Sequence, residues 1–189
     1  MASNSSADWN SVSELLSKSG ADLGVVAGFS FLLPDAVLGI PKWGFLNLHA
    51  GTVPKYRGGS PLNWQIINGE EFAGLSILRM TSGIDDGPVV ATDVLEIQHD
   101  TTIAHLHVWA NETFSRLLLQ VMSCIEASLA AAAEQNSRAA CYWHQRSDVD
   151  GRFDPATISI SALDRLVRGV GRPYPGAWAK VGADVLRLF

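Results

Sequence analysis

Four short apolar runs, each closed by a turn or followed by a helical pattern, limit the folds open to this chain more than any other feature. ADLGVVAGF at 21–29, GFLNLHA at 44–50, GLSILRM at 74–80 and VVATDVLEIQ at 89–98 all read as strands. Helical spacing appears at 10–18, ended by Gly20, and at 62–70, ended near Asn68-Gly69. A long helical pattern then covers 101–133, with Asp100 as the expected N-cap. Its apolar stripe is Ile103, Leu106, Ala110, Phe114, Leu117 and Val121. The alanine-rich end, SLAAAAEQ, reads as good helix-forming sequence and nothing more. Beyond Tyr142 the texture changes to a turn-rich segment, an amphipathic helix at 161–170, a rigid RPYPGAW connector and a final hairpin. Alternating strands and helices predict an α/β fold with a mixed sheet.

Composition narrows the function classes. With 189 residues, 47% hydrophobic and 17% charged, the chain has enough apolar mass for one sizeable core. Its net charge of −5 argues against a phosphate-backbone partner. Cys124 and Cys141 lack any metal-ligand spacing and read as buried thiols in a reducing compartment. His105 and His107, about 200° apart around a helix, cannot share a metal, and no metal is expected. The opening MASNSSADWN lacks the basic-then-apolar order of a secretory signal, and no run is long enough to cross a bilayer. A cytoplasmic location is expected, with no membrane partner.

The segment FLNLHAGTVPKYRGG at 45–59 raises the chemical question. Strand alternation puts Phe45, Asn47 and His49 on one face and Leu46, Leu48 and Ala50 on the other, immediately before glycine and proline end the strand. Two hydrogen-bonding groups at a strand end are either satisfied internally or presented to a ligand. A second polar loop, GIDDGPVV, carries Asp85 and Asp86 between two strands, where open α/β sites are commonly built.

N-L-H-A-G-T-V-P-K-Y-R-G, then G-L-S-I at 74–77, then I-D-D-G-P-V-V at 84–90, closely resembles the folate-dependent formyltransferase family. That family includes the methionyl-tRNA, glycinamide ribonucleotide and sugar N-formyltransferases. The resemblance spans residues 10–178 and implies a Rossmann-like fold, truncated at its N-terminus, with a mixed sheet. It implies a catalytic core at 1–147. At 148–189 it implies a linker, helix and start of a C-terminal subdomain. Family members carry further strands ahead of the segment matching 10–29, so an exposed sheet edge is expected here, open to a second copy or a partner chain.

Carried over residue by residue, the catalytic triad falls on Asn47, His49 and Asp85, the last standing two residues before Gly87. The resemblance implies that 10-formyltetrahydrofolate is the co-substrate and a small-molecule primary amine the acceptor. Folate contacts would come from Ser30, Phe31, Leu32 and Leu33, with Asn47, Ile84 and Asp85; simple core packing is the other reading of the Phe31–Leu33 stretch. Gly51, Thr52, Val53 and Pro54 would shape the acceptor side. Lys55 and Arg57 would either bind an acceptor phosphate or only cover the loop. The DGRFDP, helix and RPYPGAW tail resembles that of methionyl-tRNA and amino-sugar enzymes, and the acidic charge favours an amino-sugar nucleotide. A methionyl-tRNA enzyme, a folate-binding remnant without catalysis and a formyl hydrolase are the alternatives.

Overall fold

The strand carrying Asn47 and His49, β2 (Phe45–His49), has a strand on each side. In the computed structural model, which describes residues 8–189, the four apolar runs form one mixed sheet in the order β1-β2-β4-β5. The polar opening at residues 1–7 lies outside the described residues. β1 (Gly24–Ala27) runs parallel to β2, pairing Val26 with Asn47 and Ala27 with Leu48. β4 (Phe72–Arg79) runs antiparallel to β2, pairing His49 with Ser76, and β5 (Val89–Glu96) antiparallel to β4. Among the described residues β1 has a strand on one side only.

Alternation along β2 divides its side chains as the pleat requires. Leu46 and Leu48 pack with Ile77 of β4 against Leu117 and Val121 of helix α4 (Ile103–Ser123), numbered in chain order after α1 (Trp9–Ser19), α2 (Asp35–Leu38) and α3 (Pro61–Ile67). Asn47 and His49 therefore face away from that layer. Further along, α3 and α4 enclose Ala73 and Leu75 of β4 with Leu62, Ile66, Ile103 and Leu106. Each such aliphatic side chain, fully buried, contributes about 1.5–3 kcal/mol. The outer side of β2 is covered by α1 and α2, where Leu33, Val37 and Phe45 form a separate cluster with Trp9 and Leu16.

Several local expectations change, among them the burial of Cys124 and Cys141, which are both exposed. α4 is capped by Thr102 rather than Asp100: the Thr102 side chain accepts the His105 amide, and His105 Nδ1 accepts the Thr102 amide. Asp100 is held in a preceding turn, in which Thr101 bonds back to Gln98 through both its amide and its hydroxyl. The single helix predicted to residue 133 breaks at Cys124 (φ −145°, ψ 51°), and α5 (Ile125–Ala130) follows. Of the predicted stripe, Phe114 is only partly buried, and Thr113 joins the buried face.

After α5 the chain crosses back over the sheet. Ala133 bridges to Val89, and β6 (Tyr142–Trp143) pairs in parallel with β3 (Arg57–Gly58), the loop that follows β2. The C-terminal segment adds α6 (Ile160–Val170) and the hairpin of β7 (Ala177–Val181) and β8 (Asp184–Leu188), around Phe153, Leu166, Val170 and Ala177. It is fastened to α3 where Asn63 Nδ2 donates to the Gly169 carbonyl at 2.7 Å. No helix among the described residues is long and apolar enough to cross a membrane.

Candidate active site

β2 delivers Asn47 and His49 to one face, and the loop between β4 and β5 returns to meet them. Asn47 Nδ2 donates to Asp85 Oδ1 at 2.8 Å, and His49 Nδ1 lies 3.4 Å from Asp85 Oδ2. The Gly58 amide donates to Asp85 Oδ2 at 2.8 Å, so both carboxylate oxygens are engaged. Asp85 adopts φ +48°, a left-handed conformation uncommon for a residue with a side chain. That conformation turns the carboxylate back from the loop towards β2.

The His49 ring is 5% exposed, and its Nε2 lies 2.6 Å from the Tyr56 carbonyl oxygen. A carbonyl can only accept, so Nε2 is the donor there, and Nδ1 is the ring nitrogen that faces Asp85. Gly51 makes this approach sterically feasible. A Cβ there would stand 2.7 Å from both His49 Nε2 and the Tyr56 carbonyl oxygen, and 2.8 Å from Pro61 Cβ. The turn that ends β2 is thus set by a residue without a side chain, with Ser76 Oγ donating to the Gly51 carbonyl at 2.8 Å.

The other expected residues divide into two groups. Phe31, Leu32 and Ile84 are exposed apolar side chains, at 37%, 47% and 44%. Ile84 directly precedes Asp85 in the loop between β4 and β5, and Phe31 and Leu32 lie in the loop after β1. Ser30 is exposed in the same loop, whereas Leu33 is buried in the cluster with Val37 and Phe45. Next to Asp85, a cleft of about 500 Å³ is lined by Arg79, Met80, Thr81, Ser82 and Asp86 among others, and not by Asn47 or His49.

On the other side, Thr52 Oγ1 donates to Gln65, and Val53 and Pro54 are half-buried in the loop. Lys55 is exposed and pairs with Glu70 at 2.6 Å. Arg57 does not present itself to a phosphate: it is 2% exposed, with Nε and Nη2 donating to Gln135 and Nη1 to the Tyr142 hydroxyl. Burial first, and the bond to Glu70 second, push the nearby Tyr56 hydroxyl well above the usual phenol range.

Three contributors to this site had no reading in the sequence. The Gly58 amide and Tyr56 carbonyl are main-chain groups, which every residue possesses. Gln135 sat in a segment read only as helix-forming, yet its Nε2 donates to the carbonyls of Asp85 at 2.9 Å and Gly87 at 2.7 Å.

Residues 2–122, more than half of the chain, match the formyl transferase family. The chain belongs to the formyltransferase family. Among individual relatives, the methionyl-tRNA formyltransferase of Agathobacter rectalis is 31% identical over 176 residues, covering 93% of this chain and 56% of that protein. The chain spans about half the length of the curated relatives it matches. Two solved structures show the same formyltransferase fold. A 4-N formyltransferase from Francisella tularensis matches with a TM-score of 0.79 at 19% identity, over 96% of this chain and 75% of that one. HypX from Aquifex aeolicus, in complex with tetrahydrofolic acid, matches with a TM-score of 0.75 at 21% identity, over 93% and 31%.

Proposed function

We propose that this chain transfers a formyl group from 10-formyltetrahydrofolate to a primary amine. The observation that carries the reading is the convergence of Asn47 and His49, from strand β2, with Asp85, from the distant loop between β4 and β5. A flat ring system needs apolar walls with a few fixed polar groups, and Phe31 and Leu32 in the loop after β1 and Ile84 next to Asp85 expose apolar surface that suits a reduced folate. When bound, the folate supplies the activated one-carbon carbonyl.

The chain's own groups then have separable tasks. An Asn amide has two N–H donors; Asp85 takes one from Asn47, and the other is available to negative charge developing on the transferred oxygen. His49 Nδ1 accepts the proton the amine loses as its nitrogen bonds to the formyl carbon, and Asp85 balances the resulting imidazolium. His49 returns the proton to the departing N10 nitrogen as the bond from N10 to the formyl carbon breaks. Asp85, held by Asn47 and Gly58, keeps the geometry without needing to move.

The acceptor we favour is an amino-sugar nucleotide, because a chain of net charge −5 is poorly matched to a polyanionic tRNA. The names of the methionyl-tRNA formyltransferase relatives, at 31% identity in the case of Agathobacter rectalis, favour methionyl-tRNA as the second reading. Tetrahydrofolate release, measured separately with amino-sugar nucleotides and with initiator methionyl-tRNA, distinguishes the two. Release with neither, nor with any other amine, defeats the proposed activity. Release without an acceptor identifies a hydrolase. The one-sided β1 is where a second copy would pair, and a monomer throughout a sedimentation concentration series removes that assembly.

A further inference from the structure

Gln135 lies outside the triad and outside every motif that marks it, yet it makes four hydrogen bonds that meet at the catalytic loop. Its Oε1 accepts from Arg57 Nε at 3.0 Å and Nη2 at 2.9 Å. Its Nε2 donates to the Asp85 carbonyl at 2.9 Å and to the Gly87 carbonyl at 2.7 Å. A side-chain amide has two donors and an acceptor oxygen with two lone pairs, so its full capacity is used. One acceptor carbonyl belongs to the residue that carries the catalytic carboxylate and the other to Gly87 two residues on, and Asp85 itself is held at φ +48°.

We infer that Gln135 is a positioning residue that holds Asp85 in its left-handed conformation and so keeps the carboxylate on Asn47 and His49. The anchor for this clamp is Arg57. Its guanidinium is buried without a carboxylate partner among the described residues and is oriented by Gln135, by the Tyr142 hydroxyl at 2.7 Å and by the Tyr142 ring. The main chain of the same β3 segment donates the Gly58 amide to Asp85 Oδ2. Arg57-Gly58 therefore acts on Asp85 twice, directly through the Gly58 amide and indirectly through Arg57 and Gln135. A conformation uncommon for a side-chain-bearing residue persists only where its surroundings over-determine it, and these two routes do so. Arg57, for which the sequence left acceptor binding or loop covering open, thus sets the geometry of the catalytic acid–base pair together with Gly58.

The inference rests on the proposed formyl transfer for its kinetic consequence, but its structural consequence can be read without turnover. Gln135→Glu keeps the size and the acceptor oxygens that face Arg57 while replacing both donors with a lone-pair-bearing oxygen that repels the Asp85 and Gly87 carbonyls. Gln135→Met removes the donors without adding charge. The readouts are the side-chain amide resonance of Asn47, whose Nδ2 contacts Asp85 Oδ1, and steady-state formyl transfer.

In both variants the Asn47 amide signal is expected to move to the position it takes in Asp85→Ala. kcat is expected to fall at least tenfold, with acceptor KM changed less than about twofold. An Asn47 signal unmoved in either folded variant overturns the inference, as does a kcat within twofold of wild type. If the wild-type chain turns over no amine, the proposed function fails while the Asn47 signal still decides the role of Gln135. Loss of the fold in both variants makes Gln135 a general stabiliser and also overturns the assignment.

Discussion

At the scale of single residues, the site depends on donors and acceptors with nothing to spare. Asn47 gives one amide hydrogen to Asp85 and keeps the other, so Asn47→Ala removes the proposed oxyanion donor and also strips Asp85 of a partner. A 10²–10³-fold fall in kcat is expected, about 2.7–4 kcal/mol, with the fold intact by circular dichroism. Gly51 is a steric requirement: its φ is unremarkable, but a methyl group there meets His49, Tyr56 and Pro61 at once. Gly51→Ala is expected to lower stability by about 1–3 kcal/mol and to separate His49 Nε2 from the Tyr56 carbonyl, with denaturant melts and the His49 ring proton resonances as the measurements.

Elements carry a second kind of dependence. The loop joining β2 to α3 is pinned where Lys55 and Tyr56 both meet Glu70, each at 2.6 Å. Burial raises the Glu70 pKa, but the bonds from Lys55 and Tyr56 outweigh it and the net shift is downward. A carboxylate depressed in the folded state adds stability above its unfolded pKa and loses it as pH falls through the folded one. Wild type is therefore expected to lose more unfolding free energy than Glu70→Gln between about pH 6 and about pH 3, as urea titrations at each pH would measure. Equal slopes would dismiss Glu70 as the pin. α4, in contrast, draws its stability from its buried stripe, and the shift of its cap from Asp100 to Thr102 changes only where it begins.

Across the whole molecule, the sheet-and-helix layer and the C-terminal segment meet through polar contacts as well as packing. His107 of α4 lies 3.1 Å from the Tyr174 hydroxyl, and desolvation lowers its pKa. Above the ordinary histidine pKa both states are neutral. Below it the unfolded chain takes the proton first, so stability falls as pH drops. Wild type is expected to lose stability between about pH 7 and about pH 5 more steeply than His107→Gln, which keeps a polar partner for Tyr174 but does not titrate. Chemical denaturation across that range is the check.

By itself, the sequence determined what local periodicity can determine: four strands, the division of β2 into an apolar and a polar face, and the pairing of Asn47 with His49 on the latter. Those follow from an alternation that the backbone imposes whatever surrounds it. The formyltransferase-like spacing of Asp85 was also legible, because motif and loop are both local. Only the tertiary structure decided that Asp85 is left-handed, that Arg57 points inward, and that Gln135, 50 residues along the chain, completes the loop. The contacts behind them join groups far apart in sequence, several of them main-chain groups. Every residue offers such groups, so no residue pattern announces which of them will be used.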